Sequence, residues 1–176
     1  GNLYPGDFVK MNGSVTQVSV GNNPINLKQV VSAANTTNEG YVGVVIGKMV
    51  STTRSGASPT LDTPTGTTAP IASGDIVFVA DDPNLLFMIP CDGIVTLANL
   101  GLNSQVTVGT GSAGRSTMKV NSAYLTAGTN AVNAPLRILD IIDAPDNDGT
   151  GATSGTVVTA KINNHQLNPA TGVAGT

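Results

Sequence analysis

The chain has 176 residues, 40% hydrophobic and only 11% charged, with one His, one Cys, no Trp and a formal net charge of −3. A chain of this length fits one domain that buries about 70% of the surface its unfolded form exposes, so no disulfide or metal staple is required. The acidic balance and the singly scattered eight Lys and Arg argue against a phosphate-neutralising binder of nucleic acid, and the scarcity of groups with tunable pKa argues against an enzyme.

Residues 1–7 are expected to be a low-complexity N-terminal arm able to reach a neighbouring subunit. β-branched runs bounded by turn formers then predict strands at Phe8 to Met11, Val15 to Val20, Ile25 to Ser32 and Tyr41 to Val50. Residues 51–73, rich in Ser, Thr, Gly and Pro, hold almost nothing to bury and predict a long exposed loop that extends the fold or is ordered by a partner. Further strands are expected at Ile76 to Ala80 and Leu85 to Ile89. Between these two, Asp82 accepts from its own backbone and Pro83 presets φ, which predicts a type I turn joining a hairpin or a tight strand connection. Ile94 to Leu97, Gln105 to Gly109, Ser116 to Val120, Leu136 to Ile142 and Val157 to Ile162 complete the set. No window sustains a 3.6-residue period, and Ala98 to Leu102 is at most a short turn. Ala144 to Thr156 is a second loop and residues 168–176 a tail able to reach a neighbouring subunit. The expected architecture is therefore one all-β domain over residues 8–167, a β-barrel or β-sandwich with long loops and extended terminal arms. Its core is Val, Ile, Leu and Ala, because the only aromatics are Tyr4, Phe8, Tyr41, Phe78, Phe87 and Tyr124.

The chemical motifs read as ordinary structure. Gly109-Thr110-Gly111-Ser112-Ala113-Gly114 matches a dinucleotide fingerprint, yet the strand-like Arg115 to Val120 follows where a helix is required, and the next acid is Asp140. Ser116-Thr117-Met118-Lys119 matches an acyl-serine motif without its partner motifs. Asp81, Asp82 and Asp92, or Asp143, Asp146 and Asp148, offer oxygen ligands for calcium, but the second set lacks the closing Glu of a calcium loop, and both read as solvated turn residues. Cys91 has no Cys partner and reads as a buried structural thiol. His165 has no second ligand nearby and reads as a structural imidazole. The sequons Asn12-Gly13-Ser14 and Asn35-Thr36-Thr37 are what chance supplies in an Asn- and Thr-rich chain. No apolar run approaches the roughly 20 residues that span a bilayer, and no basic-then-apolar leader opens the chain. The expectation is a soluble protein without cofactor, metal, membrane or nucleic-acid partner.

One ordered set of segments carries more. Val79 to Ile89 with its Asp81-Asp82-Pro83-Asn84 centre, Asp92-Gly93, Leu100-Gly101-Leu102-Asn103, Gly114-Arg115-Ser116-Thr117-Met118, Pro135 to Leu139 and Lys161-Ile162-Asn163-Asn164-His165-Gln166 follow in turn. In order and approximate spacing this resembles the capsid decoration, or cement, proteins of tailed bacteriophages, over roughly residues 40–167. Met88 and Pro90-Cys91 depart from the acidic or polar residues that the family pattern tends to carry there. The resemblance implies a β-rich homo-oligomer, a trimer favoured over a dimer, made in the host cytoplasm. It would sit on the outer surface of the virion's expanded head, bind the major capsid protein, clamp adjacent capsomers against DNA pressure and carry no catalytic residue.

Interface energy concentrates on aromatics and Arg. The residues expected at capsid or subunit contacts are accordingly Tyr4 and Phe8 on the N-terminal arm, Arg54 and Leu61 in the long loop, and Phe87 in the hairpin. A virion spike or tail module binding a receptor or glycan is the alternative, and the 3% aromatic content argues against its sugar platform. A trimeric β-rich hydrolase would need an acid/base pair or metal that one His and scattered carboxylates supply poorly.

Overall fold

The structure, a computed structural model, describes residues 3–20, 23–32, 39–49, 61–62, 71, 76–126, 134–144, 147 and 155–167. These residues are mostly antiparallel strands with one short helix and one 3₁₀ turn, an all-β fold, and among them no sheet closes into a barrel.

The first sheet is built on a long hairpin of β1 (Phe8–Val20) and β2 (Asn23–Ser32). The two runs expected at 8–11 and 15–20 are one strand, because the polar residues between them bulge instead of turning. The register steps from Met11 opposite Val30 to Val15 opposite Lys28, so Asn12, Gly13 and Ser14 face the single residue Gln29. β3 (Gly43–Met49) is central. Along one edge it pairs with β5 (Val77–Ala80), and its other edge is shared by Phe8 and Val9 of β1 and by β4 (Leu61–Asp62).

The second sheet has the order β6 (Leu86–Pro90), β11 (Val157–Ile162), β10 (Leu136–Ile141) and β7 (Asn103–Ser104). A short ribbon of β8 (Val106–Thr107) and β9 (Lys119–Val120) adjoins it. The Asp82 turn forms as its local chemistry dictates. Leu85 N–H donates to the Asp82 carbonyl at 3.1 Å, and Asn84 N–H donates to Asp82 Oδ1 at 2.8 Å. Its strands do not pair with each other, however: β5 joins β3 and β6 joins β11, so the turn is a tight connection between sheets and not a hairpin.

Two expectations fail locally. The run Ile94 to Leu97 is not a strand, since Asn99 Oδ1 accepts from Thr96 N–H at 2.9 Å and closes a 3₁₀ turn at Leu97–Asn99. Helix α1 (Ser122–Thr126) is too short for a period to register in the sequence. It is marked only by Asn121, whose Oδ1 accepts from Tyr124 N–H at 3.0 Å as a cap.

Strand alternation assigns neighbouring residues to two cores. Phe8 enters a main core with Tyr41, Ile89, Leu136, Ile138, Val158 and others, while Val9 enters a smaller one with Val42, Val45 and Ile71 on the opposite face. The Phe8 ring meets Tyr41 at 5.6 Å and Phe87 edge-on at 5.4 Å, so one aromatic group from each sheet locks the seam between them. Residues 3–7, expected as an extended arm, are folded back on their own domain because their main-chain groups find partners there. Gly6 N–H donates to the Val45 carbonyl at 2.7 Å, Ser116 N–H to the Pro5 carbonyl at 2.9 Å, and Leu3 bridges Ile71. Of the segment 51–73, expected as one long loop, Leu61–Asp62 form β4 and Ile71 is buried, while the rest lies outside the described residues.

Candidate functional site

Among the described residues β6 lies at the edge of the second sheet and is paired on one side only, by β11. Its sequence, Leu-Phe-Met-Ile-Pro, is apolar throughout, so alternation necessarily leaves apolar side chains outward. Phe87 and Ile89 turn into the core; Leu86 and Met88 stand 58% and 71% exposed. Pro90 is tolerated at the end of the strand because an edge needs no N–H there. Across the face, Lys161 and Thr159 of β11 stand beside Leu86 and Met88, and Leu139 of β10, at the bulge between Ile138 and Asp140, adds another exposed apolar group. Lys161 Nζ donates to Asn84 Oδ1 at 3.2 Å and ties β11 to the connecting turn. The result is a sheet face with a neutral, apolar edge and charges of both signs beside it, Lys161 opposite Leu86 and the exposed Asp140 opposite Thr159. The strand is short and closed by Pro90, which limits strand addition at its edge, so what it offers a partner is the exposed apolar pair Leu86 and Met88 on its outer face.

The residues expected at contacts fall elsewhere. Phe8 is part of the main core, Tyr4 is buried in this chain, and Phe87 is half-buried against Phe8, so all three are turned inward. Leu61 pairs with Met49 in β4, and Arg54 lies outside the described residues. Sequence reasoning passed over Leu86 and Met88 because it favoured aromatics, and in a strand apolar at every position the spacing alone does not say which face is outward.

The ionisable groups are mostly tied into structure. Cys91 is buried, and burial first, then the neighbouring Asp92, pushes its thiol up to about 12. For Asp92 burial opposes the charged form, yet hydrogen bonds from Ser122 N–H and Oγ, both 2.7 Å, and from Thr107 Oγ1 at 2.7 Å outweigh it and hold the carboxyl below its usual range. Burial raises Asp7, with Ser116 and the Tyr4 amide pulling the other way. His165 is buried beside Tyr41; Leu167 N–H donates to its Nδ1 at 3.1 Å, while Nε2 makes no well-formed hydrogen bond. Burial lowers its pKa despite the pull of Asp81. Among the described residues no three of His, Cys, Asp and Glu converge on a metal position; Asp146 and Asp148 lie outside them.

The glycine motif is a tight turn. Ser112 and Arg115 exchange both backbone hydrogen bonds, at 2.9 and 3.0 Å, around Ala113 and Gly114, whose φ values of 50° and 75° are those of a type I′ turn. Met118 of the serine motif is a core residue. Comparison of the chain with protein-family models, with curated proteins and with solved structures finds no match in any of the three.

Proposed function

We propose that this protein is a non-enzymatic structural protein of a tailed-phage virion, binding the outside of the expanded capsid through the outer face of its second sheet. The observation that carries this reading is the exposed pair Leu86 and Met88 on the outer face of an edge strand whose alternate residues, Phe87 and Ile89, pack into the core. The ordered segments that resemble capsid decoration proteins run through this same strand and its neighbours, Val79 to Ile89 and Lys161 to Gln166, with Met88 itself a departure from the family pattern, so the apolar contact is this chain's own feature. Full burial of a Leu or Met side chain contributes about 1.5–3 kcal/mol, so a single contact of this size is weak. On a repeating lattice a homo-oligomer, a trimer in this reading, converts each further contact into an intramolecular event and the weak contacts become persistent.

Co-sedimentation with undecorated heads of the source virus tests the proposal. Saturable binding to expanded heads at a fixed ratio to the major capsid protein, absent from unexpanded heads and lost in Met88→Lys, is the expected result. Met88 is a surface position, so that variant should keep its stability within about 0.5 kcal/mol. Absence of binding to either form of the head refutes the capsid role and moves a receptor- or glycan-binding module of the virion to first place.

A further inference from the structure

We propose that Met88 is a redox switch on the outer face of the second sheet: a peroxide oxidises its thioether to the sulfoxide ahead of the other described sulfurs, and the sulfoxide weakens the hold on the partner bound there. The second half rests on the capsid-binding reading above; the first stands without it. The chain carries five sulfur atoms, in Met11, Met49, Met88, Met118 and Cys91, and the fold treats those it describes very differently. Met88 is 71% exposed, turned outward because Phe87 and Ile89 on either side of it turn into the core. Met118 is 5% exposed, and its Sδ accepts from Phe8 N–H at 3.3 Å, so this sulfur is both buried and engaged. Met11 is partly buried against the smaller core. Cys91 is buried and its thiol is held protonated, whereas the thiolate is the form that attacks a peroxide. The side chain of Met49 lies outside the described residues.

A thioether reacts through a sulfur lone pair, so access of the oxidant to sulfur sets the order of conversion. The Met88 sulfur attacks one oxygen of hydrogen peroxide, the O–O bond breaks, and the second oxygen leaves with both protons as water. Sulfur gives up two electrons, peroxide takes them, and the side chain gains one oxygen with no change of charge. What changes is polarity. The sulfoxide oxygen is a hydrogen-bond acceptor placed where Leu86 and Met88 had offered an apolar surface, with Thr159 directly opposite Met88. Covering that oxygen with an apolar partner strands it, which weakens each contact on the order of tenfold or more. The fold itself is spared, because the residue already faces solvent. Oxidation of Met118 would do the reverse, placing an oxygen in the main core against Phe8 N–H.

Treating the folded protein with hydrogen peroxide, mapping each methionine by peptide mass, and measuring co-sedimentation with expanded heads before and after tests the assignment. Met88 should convert first, ahead of Met11 and Met118, with Cys91 unmodified and the thermal melt unchanged. At full Met88 sulfoxide, head binding should fall on the order of tenfold or more, and methionine sulfoxide reductase should restore it. Met88→Leu separates Met88 from Met49: whatever that variant's own affinity for heads, peroxide should not alter it. Met11 or Met118 converting as fast as Met88 in the folded protein overturns the selectivity. Undiminished binding at full Met88 sulfoxide, or a Met88→Leu variant that peroxide inactivates like the parent, overturns the switch while the capsid reading stands. Untreated protein that binds no heads refutes the capsid reading and the switch with it, and the peptide map still decides the selective oxidation.

Discussion

Replacing Phe8 by Ala tests whether the two sheets are held together where the structure places their seam. The side chain is 2% exposed and touches Tyr41 and Phe87 with ring centroids at 5.6 and 5.4 Å. Truncating a buried Phe to Ala costs about 3–5 kcal/mol through lost transfer energy and the cavity left behind. Of this, each aromatic pair supplies about 0.5–1.5 kcal/mol. For a domain of this size that loss lowers Tm by roughly 6–20 °C, taking about 2–4 °C per kcal/mol. Thermal and guanidinium unfolding followed by far-UV circular dichroism measures it, since the chain has no Trp to report. Met88→Ala is the control on the other face, expected within about 0.5 kcal/mol of the parent. A Phe8→Ala loss no larger than that of Met88→Ala would place Phe8 outside the seam and refute the packing argument, including the assignment of Phe87 and Met88 to opposite faces of β6.

Three further outcomes follow from the same geometry. His165 is the only His, and its folded-state pKa lies below the ordinary 6.5, so the unfolded chain binds the proton more readily. Stability should be full above that value and fall as pH drops through 6.5 toward the depressed folded value, read as the urea midpoint between about pH 7.5 and about pH 5.5, and His165→Gln should flatten the slope. Cys91, buried with its thiol at about 12, should resist alkylation at neutral pH until the protein unfolds, so labelling kinetics should track global opening. Gly43→Ala should destabilise by about 1–3 kcal/mol or more, because the new Cβ would lie 2.1 Å from the Ala80 carbonyl oxygen and force β3 from β5; a neutral result by denaturant titration would contradict that close pairing.

What was legible in the sequence was local. The Asp82-Pro83-Asn84 turn rests on a side chain reaching its own backbone and a ring that fixes φ, so it forms wherever the chain goes next. β10 and β11 could be read because β-branched runs flanked by breakers favour extended backbone. The Asn121 cap and the five-residue helix behind it were not legible, since so short a helix presents no periodic face. Leu61–Asp62 joined a sheet from within a Ser- and Thr-rich run because β3 offered a free edge there, which no property of the run itself announces.

The candidate site shows the same division at a single strand. Composition and pattern determined an aromatic-poor, sparsely charged, all-β chain with strands close to where they occur. They could not determine which side of Leu-Phe-Met-Ile-Pro faces out, because every position is apolar and a period of two separates two faces without saying which is buried. Only the tertiary structure decided it, by setting Phe87 against Phe8 from the other sheet and so turning Leu86 and Met88 toward solvent. It likewise drew Tyr4 and Phe8 away from the surface. Burial is a property of long-range pairing, and pairing depends on which edges remain free after the rest of the chain has folded.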